Sequence, residues 1–228
     1  MAGSNILLLF SVWALPVLIA VTFHEAAHGF AARAFGDNTA YLLGRVSLNP
    51  LKHIDPFGTV LLPGMLLLAH SPFLFGYAKP VPVNFNALRH PRLGMACVAA
   101  AGPMTNLALA FVAALSFHFV NYLPPSTAQF VALNLKNAVI VNAVLAVFNL
   151  FPIPPLDGGR IAVAVLPRFL GRPLARLEPL GMVLLVALLF LVPLLGPQIG
   201  YNLNFASEAL SRATQAVIGA ILQLSGNV

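Results

Sequence analysis

The chain has 228 residues, of which 59% are hydrophobic and only 8% charged; soluble domains carry about a quarter charged residues, so a soluble globular protein is excluded. The formal charge of +6 comes from basic residues spread over loops beside apolar runs, as membrane flanks are, and no nucleic-acid partner is expected. A single cysteine, Cys97, excludes an internal disulfide framework and any zinc site built from several thiolates.

Five apolar segments, at about 6–35, 56–75, 93–120, 130–152 and 177–195, come close to or exceed the roughly 20 residues that a helix needs to cross a hydrocarbon core. Together they predict an all-α polytopic membrane protein of about five to six hydrophobic helices. The first run, Ile6 to Phe23, has no basic residue before it and leads directly into His24-Glu25, so it should be retained rather than cleaved. The whole of 1–228 reads as one membrane domain, with a core over about 6–165 and accessory helices over 166–228.

The segment 56–75 carries Pro63 and Gly64 at its centre, where a bend is easiest, although ordinary spanning helices also tolerate both. Basic residues cluster after the first run (Arg33, Arg45, Lys52), before the third (Lys79, Arg89, Arg92) and before the fifth (Arg160, Arg168, Arg172, Arg176). The positive-inside rule puts all three groups in the cytoplasm, so 56–75 should enter and leave on one side, as a re-entrant segment. His28 and Asp157 then lie near the cytoplasmic face of an inner membrane.

The stretch 203–224 differs, because Leu203, Ala206, Leu210, Ala213, Val217, Ala220 and Leu224 recur at helical spacing opposite Ser207, Glu208, Ser211, Arg212 and Gln215. It reads as a C-terminal amphipathic helix, at the interface rather than in the core. Glu208 and Arg212, four apart, form an exposed helical ion pair that needs no function to explain it.

The chemistry lies in His24-Glu25-Ala26-Ala27-His28, which sets two imidazoles on one helix face, close enough to share a metal ion. An ionisable group at membrane depth costs about 2.5 kcal/mol or more, so such residues are functional by default and have partners. A catalytic zinc takes three protein ligands, commonly two histidines and a carboxylate, and leaves a place for water. Of the six acidic residues, Asp37 and Asp55 lie in loops, Glu178 and Glu208 lie in or near later helices, and Glu25 is needed as the base. Asp157 remains, in Asn149-Leu-Phe-Pro152-Ile-Pro154-Pro155-Leu-Asp157-Gly158-Gly159, where prolines interrupt an apolar helix and glycines permit a tight turn. Asp-Gly-Gly taken alone is equally a surface-turn signature.

Gly102, Pro103 and Asn106 either let two helices approach closely and place the Asn106 amide toward the cavity, against substrate, or serve packing alone. Gly76 to Phe85, with Pro80 and Pro82, cannot be helical throughout and favours extended backbone, an edge on which an unwound substrate could pair, or else an ordinary proline-rich loop. His53 and Asp55 read as loop-ordering residues, and His70, His90 and His118 as interfacial or packing residues.

His24-Glu25-x-x-His28, Gly76 to Asn84, Gly102-Pro103-Met104-Thr105-Asn106 and the Asn149 to Gly159 stretch occur in the order found in the site-2 proteases. Over about residues 20–165 the chain resembles that family of intramembrane zinc metalloproteases, in particular its compact bacterial members without a PDZ or CBS domain. The resemblance implies one zinc ion on His24, His28 and Asp157, Glu25 as catalytic base, Asn149 holding the substrate backbone, and membrane proteins with transmembrane segments as substrates. The additional apolar segment 56–75 departs from the simplest members by lengthening the chain between the histidines and Asp157. Rival readings of buried His, Glu and Asp are a metal or proton transporter and a catalytically silent membrane scaffold.

Overall fold

The structure is a computed structural model that describes residues 2–61, 64–65, 78–199, 201 and 203–228. Seven helices organise these residues: α1 Ala2–Ala34, α2 Pro91–Ser116, α3 Pro125–Asn149, α4 Asp157–Val165, α5 Arg168–Arg176, α6 beginning at Glu178–Val186 and continuing through a π turn to Val192–Leu195, and α7 Phe205–Leu224. Among the described residues four stretches are long and apolar enough to cross a membrane: Ser11–Ala34, Pro91–Tyr122, Pro125–Asn149 and Glu178–Leu195. The protein is therefore an all-helical integral membrane protein.

α1, α2 and α3 form the core, with α1 parallel to α3 and antiparallel to α2. Asn137 Nδ2 donates to the Val12 carbonyl at one end, and His28 Nδ1 lies 2.7 Å from the Val98 carbonyl toward the other. Small residues permit this approach: Ala20, Ala110, Ala114, Ala143 and Ala146 are wholly buried. α1 therefore ends on the side where α2 begins and α3 ends.

The segment that joins α1 to α2 begins and ends on that side. The Lys79 amide donates to the His53 carbonyl at 2.9 Å, so the two ends of the 56–75 segment stand together. The path between them, including any re-entrance and His70, lies largely outside the described residues. His53 is buried with Nε2 on the Ser47 carbonyl, and Asp55 Oδ1 accepts from the amides of Phe57 and Gly58, the loop-ordering roles expected of both.

The C-terminal helix differs from expectation in place and in face. Its first turns, at Ala206 and Leu210, border Phe148 and Phe151 at one end of α3, while Asn227 Nδ2 donates to the Ala114 carbonyl and His118 Nε2 to the Ser225 carbonyl at the far end of α2. α7 thus runs along the bundle from end to end instead of lying across one interface. Its inward residues are Ala206, Leu210, Thr214, Val217 and Ile221, and Leu224 is 76% exposed. The heptad-like set Leu203 to Leu224 drifts round a straight helix, because 3.6 residues per turn do not divide seven. Glu208 and Arg212 do form their i,i+4 pair, at 3.7 Å.

Candidate metal centre

α3 stops at Asn149, residues 150–156 run through Pro152, Pro154 and Pro155 without helix, and α4 restarts at Asp157. Proline removes the amide that would continue the helical ladder, so the chain breaks here. The break carries Asp157 back into the bundle. Gly158 and Gly159 are not turn residues, as expected from sequence, but the first turn of α4. They are glycines because of contact: a Cβ would stand 2.1 Å from the Leu150 carbonyl oxygen at Gly158, and 2.3 Å from the Pro154 nitrogen at Gly159. Without side chains there, α4 lies directly on the broken strand of backbone.

The result is a cluster of His24, His28 and Asp157, all buried, whose inward atoms lie within 4.8 Å of one another. His24 Nε2 and His28 Nε2 are 3.1 Å apart, and each is 3.3 Å from Asp157 Oδ2. Gly102 of α2 makes room for the rings, since a Cβ there would meet His24 Cε1 and His28 Nε2, each at 2.6 Å.

Hydrogen bonds behind the rings decide which nitrogens carry protons. A carbonyl only accepts, so His28 Nδ1 donates to Val98 O, and its Nε2 presents a lone pair. Asn106 Nδ2 donates to the Ala20 carbonyl at 3.1 Å and to Asn142 Oδ1 at 2.8 Å, which turns Asn106 Oδ1 toward His24 Nδ1 at 2.6 Å. His24 Nδ1 is thereby the donor, and its Nε2 faces inward unprotonated. Asn142 is oriented in turn by its own Nδ2 bond to the Ala138 carbonyl.

Three acceptors thus converge, and Asp157 Oδ2 is buried without a hydrogen-bond partner. Such a group of lone pairs repels itself unless a cation stands among them. Ligands held tetrahedrally at about 2.0–2.1 Å from zinc would be roughly 3.3–3.4 Å apart, close to the three separations found. The donor set therefore fits a zinc ion.

Glu25, half-buried on the neighbouring face of α1, opens into the same cavity of about 340 Å³, which His24, His28, Asn149, Asp157 and Arg160 also line. Its Oε2 accepts the Val81 amide at 2.8 Å. Residues 78–84 form neither helix nor strand, and Pro80, Val81 and Val83 form one wall. Asn149 lines the cavity with its Nδ2 tied back to the Leu145 carbonyl.

Asn106 does not reach the cavity. Its side chain is wholly buried behind His24, so the sequence-based placement against substrate is corrected: both polar ends of the amide are consumed within the helix core. Sequence reading also passed over Asn142 and Val81, and it expected Gly102 to let helices approach rather than to make room for two imidazole rings. Asn142 carried a usable signal, an amide in an otherwise apolar span, whereas the contacts of Val81 and Gly102 leave no local trace.

Residues 125–194 match the family model of Peptidase family M50. The chain is 34% identical over 216 residues to "Putative zinc metalloprotease YwhC" of Bacillus subtilis (strain 168), covering 91% of this chain and 93% of that one. It is 30% identical over 172 residues to "Putative zinc metalloprotease Rip2" of Mycolicibacterium smegmatis, covering 75% of this chain and 64% of that one. Rip2 of Mycobacterium tuberculosis (strain ATCC 25618 / H37Rv) is 30% identical over 182 residues, 78% and 66% of the two chains. No solved structure matches significantly. The near end-to-end likeness to YwhC, together with the family match, establishes that this chain belongs to peptidase family M50, the site-2 proteases, and is a metalloprotease.

Proposed function

We propose that this protein is an intramembrane zinc endopeptidase, hydrolysing peptide bonds in or near the transmembrane segments of membrane proteins, with His24, His28 and Asp157 as metal ligands and Glu25 as general base. The observation that carries the reading is the convergence of three inward-facing acceptors at 3.1–3.3 Å beside Glu25. Held by His24, His28 and Asp157, a zinc ion would supply Lewis acidity toward a scissile carbonyl and a water whose pKa is brought to about 7.

The protein's own groups account for the rest. Val81 N–H fixes Glu25 Oε2, leaving Oε1 to take a proton from the attacking water and return it to the departing amine. Asp157 brings a negative charge that lowers the cost of burying a divalent cation, while the two imidazoles stay neutral. A helical substrate hides its peptide groups, so it must be held unwound. Pro80, Val81 and Val83 wall the cavity with Asn149 beside them; with the Val81 amide spent on Glu25 and none at Pro80 or Pro82, this wall would receive an unwound segment through its backbone carbonyls.

His28 stands six residues and His24 ten residues from the end of α1, roughly 9 and 15 Å below it at 1.5 Å per residue, a depth that supports cleavage chemistry within the bilayer. Arg33, Arg45, Lys52, Lys79, Arg89, Arg92, Arg160, Arg168, Arg172 and Arg176 all lie toward that end of the bundle, so the site faces the cytoplasm of a bacterial inner membrane.

The test is a detergent assay on a labelled transmembrane peptide. Wild type should cleave it, and Glu25→Gln should keep one zinc per chain while cleaving about a hundredfold or more slowly. Undiminished cleavage by Glu25→Gln, or wild-type protein without stoichiometric zinc, overturns the proposal.

A further inference from the structure

The six acidic residues all have a place. Glu25 holds the Val81 amide, Asp37 the amides of Thr39 and Asn84, Asp55 those of Phe57 and Gly58, Asp157 faces the imidazoles, and Glu178 and Glu208 pair with Arg160 and Arg212. Half of the twelve basic residues are also engaged: Arg160 and Arg212 in those pairs, Arg33 over the Tyr41 ring, Lys52 on the Gly44 carbonyl, and Arg45 and Arg92 on backbone carbonyls. Arg168, Arg172 and Arg176 of α5 stand out because they lie together on one helix. Among the described residues none of the three has an acid, a carbonyl acceptor or a ring.

These three residues recur every fourth position along a single helix, so their guanidiniums form one stripe about 12 Å long. The stripe is exposed and, with Phe169 and Pro173, borders an open groove of about 410 Å³. Phe169 is 73% exposed beside it, and Leu170 48%. The opposite side of α5 is used for packing, since Gly171 is buried against the Val163 carbonyl, and Leu174 and Ala175 are half-buried.

The position of α5 decides what meets the stripe. Its chain enters beside the first turn of α2, where the Arg92 guanidinium caps the Ala164 and Leu166 carbonyls, and leaves directly into Glu178, the first residue of a membrane-spanning helix. α5 is therefore a short connection at the end of the bundle where a spanning helix begins, with bare guanidiniums and exposed apolar side chains side by side as in helices that sit at headgroup level. Guanidinium forks match phosphate oxygens in two-point contacts.

We propose that Arg168, Arg172 and Arg176 form a binding site for the phosphates of anionic phospholipids, with Phe169 set at the level of the adjoining acyl chains. This rests on the membrane embedding of the chain and not on its metal chemistry.

The test uses the full chain in vesicles. Trp13 is the only tryptophan, so Trp13→Phe combined with Phe169→Trp gives a single fluorophore on α5. Its quenching by dibrominated phosphatidylglycerol and by dibrominated phosphatidylcholine is compared at equal mole fraction and ionic strength. The phosphatidylglycerol form should be favoured about twofold or more. Adding Arg168→Gln, Arg172→Gln and Arg176→Gln should bring the ratio to one, with zinc content unchanged as a check on the fold, whereas the corresponding triple Lys variant should keep an excess. Equal quenching with all three arginines present, an excess that survives in the Gln variant, or its loss in the Lys variant overturns the proposal. So does its abolition by inorganic phosphate, which would assign the stripe to a soluble anion.

Discussion

Asn106 holds His24 from behind: its Oδ1 lies 2.6 Å from His24 Nδ1, and its amide nitrogen is committed to Ala20 and Asn142. A residue that sequence suggests for substrate contact thus sets the tautomer of an imidazole whose other nitrogen faces Asp157. Asn106→Leu removes that constraint and frees the ring to turn or change tautomer. Zinc affinity should fall by about tenfold to a hundredfold, measured by chelator competition, with helical circular dichroism preserved.

Asn142 acts one step further out. Asn142→Ala leaves Asn106 anchored by the Ala20 carbonyl alone, so zinc affinity should fall less than for Asn106→Leu. The double variant should be no worse than Asn106→Leu by itself, because both substitutions act on the same ring; additive losses would show that Asn142 does not work through Asn106.

Gly102→Ala places a methyl group 2.6 Å from both His24 Cε1 and His28 Nε2. Alanine is the better helix former, so α2 should survive and the rings must move. Purified protein should carry well under one zinc per chain while its helix content is unchanged.

Gly159→Ala tests the other wall. The added Cβ would stand 2.3 Å from the Pro154 nitrogen, against backbone that has no rotamer by which to yield. Overpacking of this kind costs about 1–3 kcal/mol. The thermal midpoint should drop by several degrees, and zinc should be lost as α4 withdraws Asp157.

Asp37, buried just beyond α1, accepts the Thr39 amide and hydroxyl and the Asn84 amide. Burial pushes its carboxyl pKa up, but these donors more than offset that and leave it below the usual value. A lowered folded pKa means stability that is complete above the unfolded value and is lost as pH falls through the folded one. Asp37→Asn should therefore lower the melting midpoint at neutral pH, and the gap to wild type should close as pH falls below about 4. A gap independent of pH would show that the carboxylate charge is not what ties α1 to residue 84.

The membrane class, the spanning helices and the His24-Glu25-x-x-His28 pair were legible in the linear chain, because length, hydropathy and a four-residue helical step are local quantities. Asp157 could be nominated by elimination among six acidic residues and by the prolines before it. What folding alone settled was which groups meet. Asn106 turned to His24 and away from substrate, Gly158 and Gly159 answered to the backbone of Leu150 and Pro154, and the buried face of α7 followed the true helical period past Thr214 to Ile221. These depend on how α1, α2, α3 and α4 approach one another in space, and contacts between distant segments leave no period in a sequence.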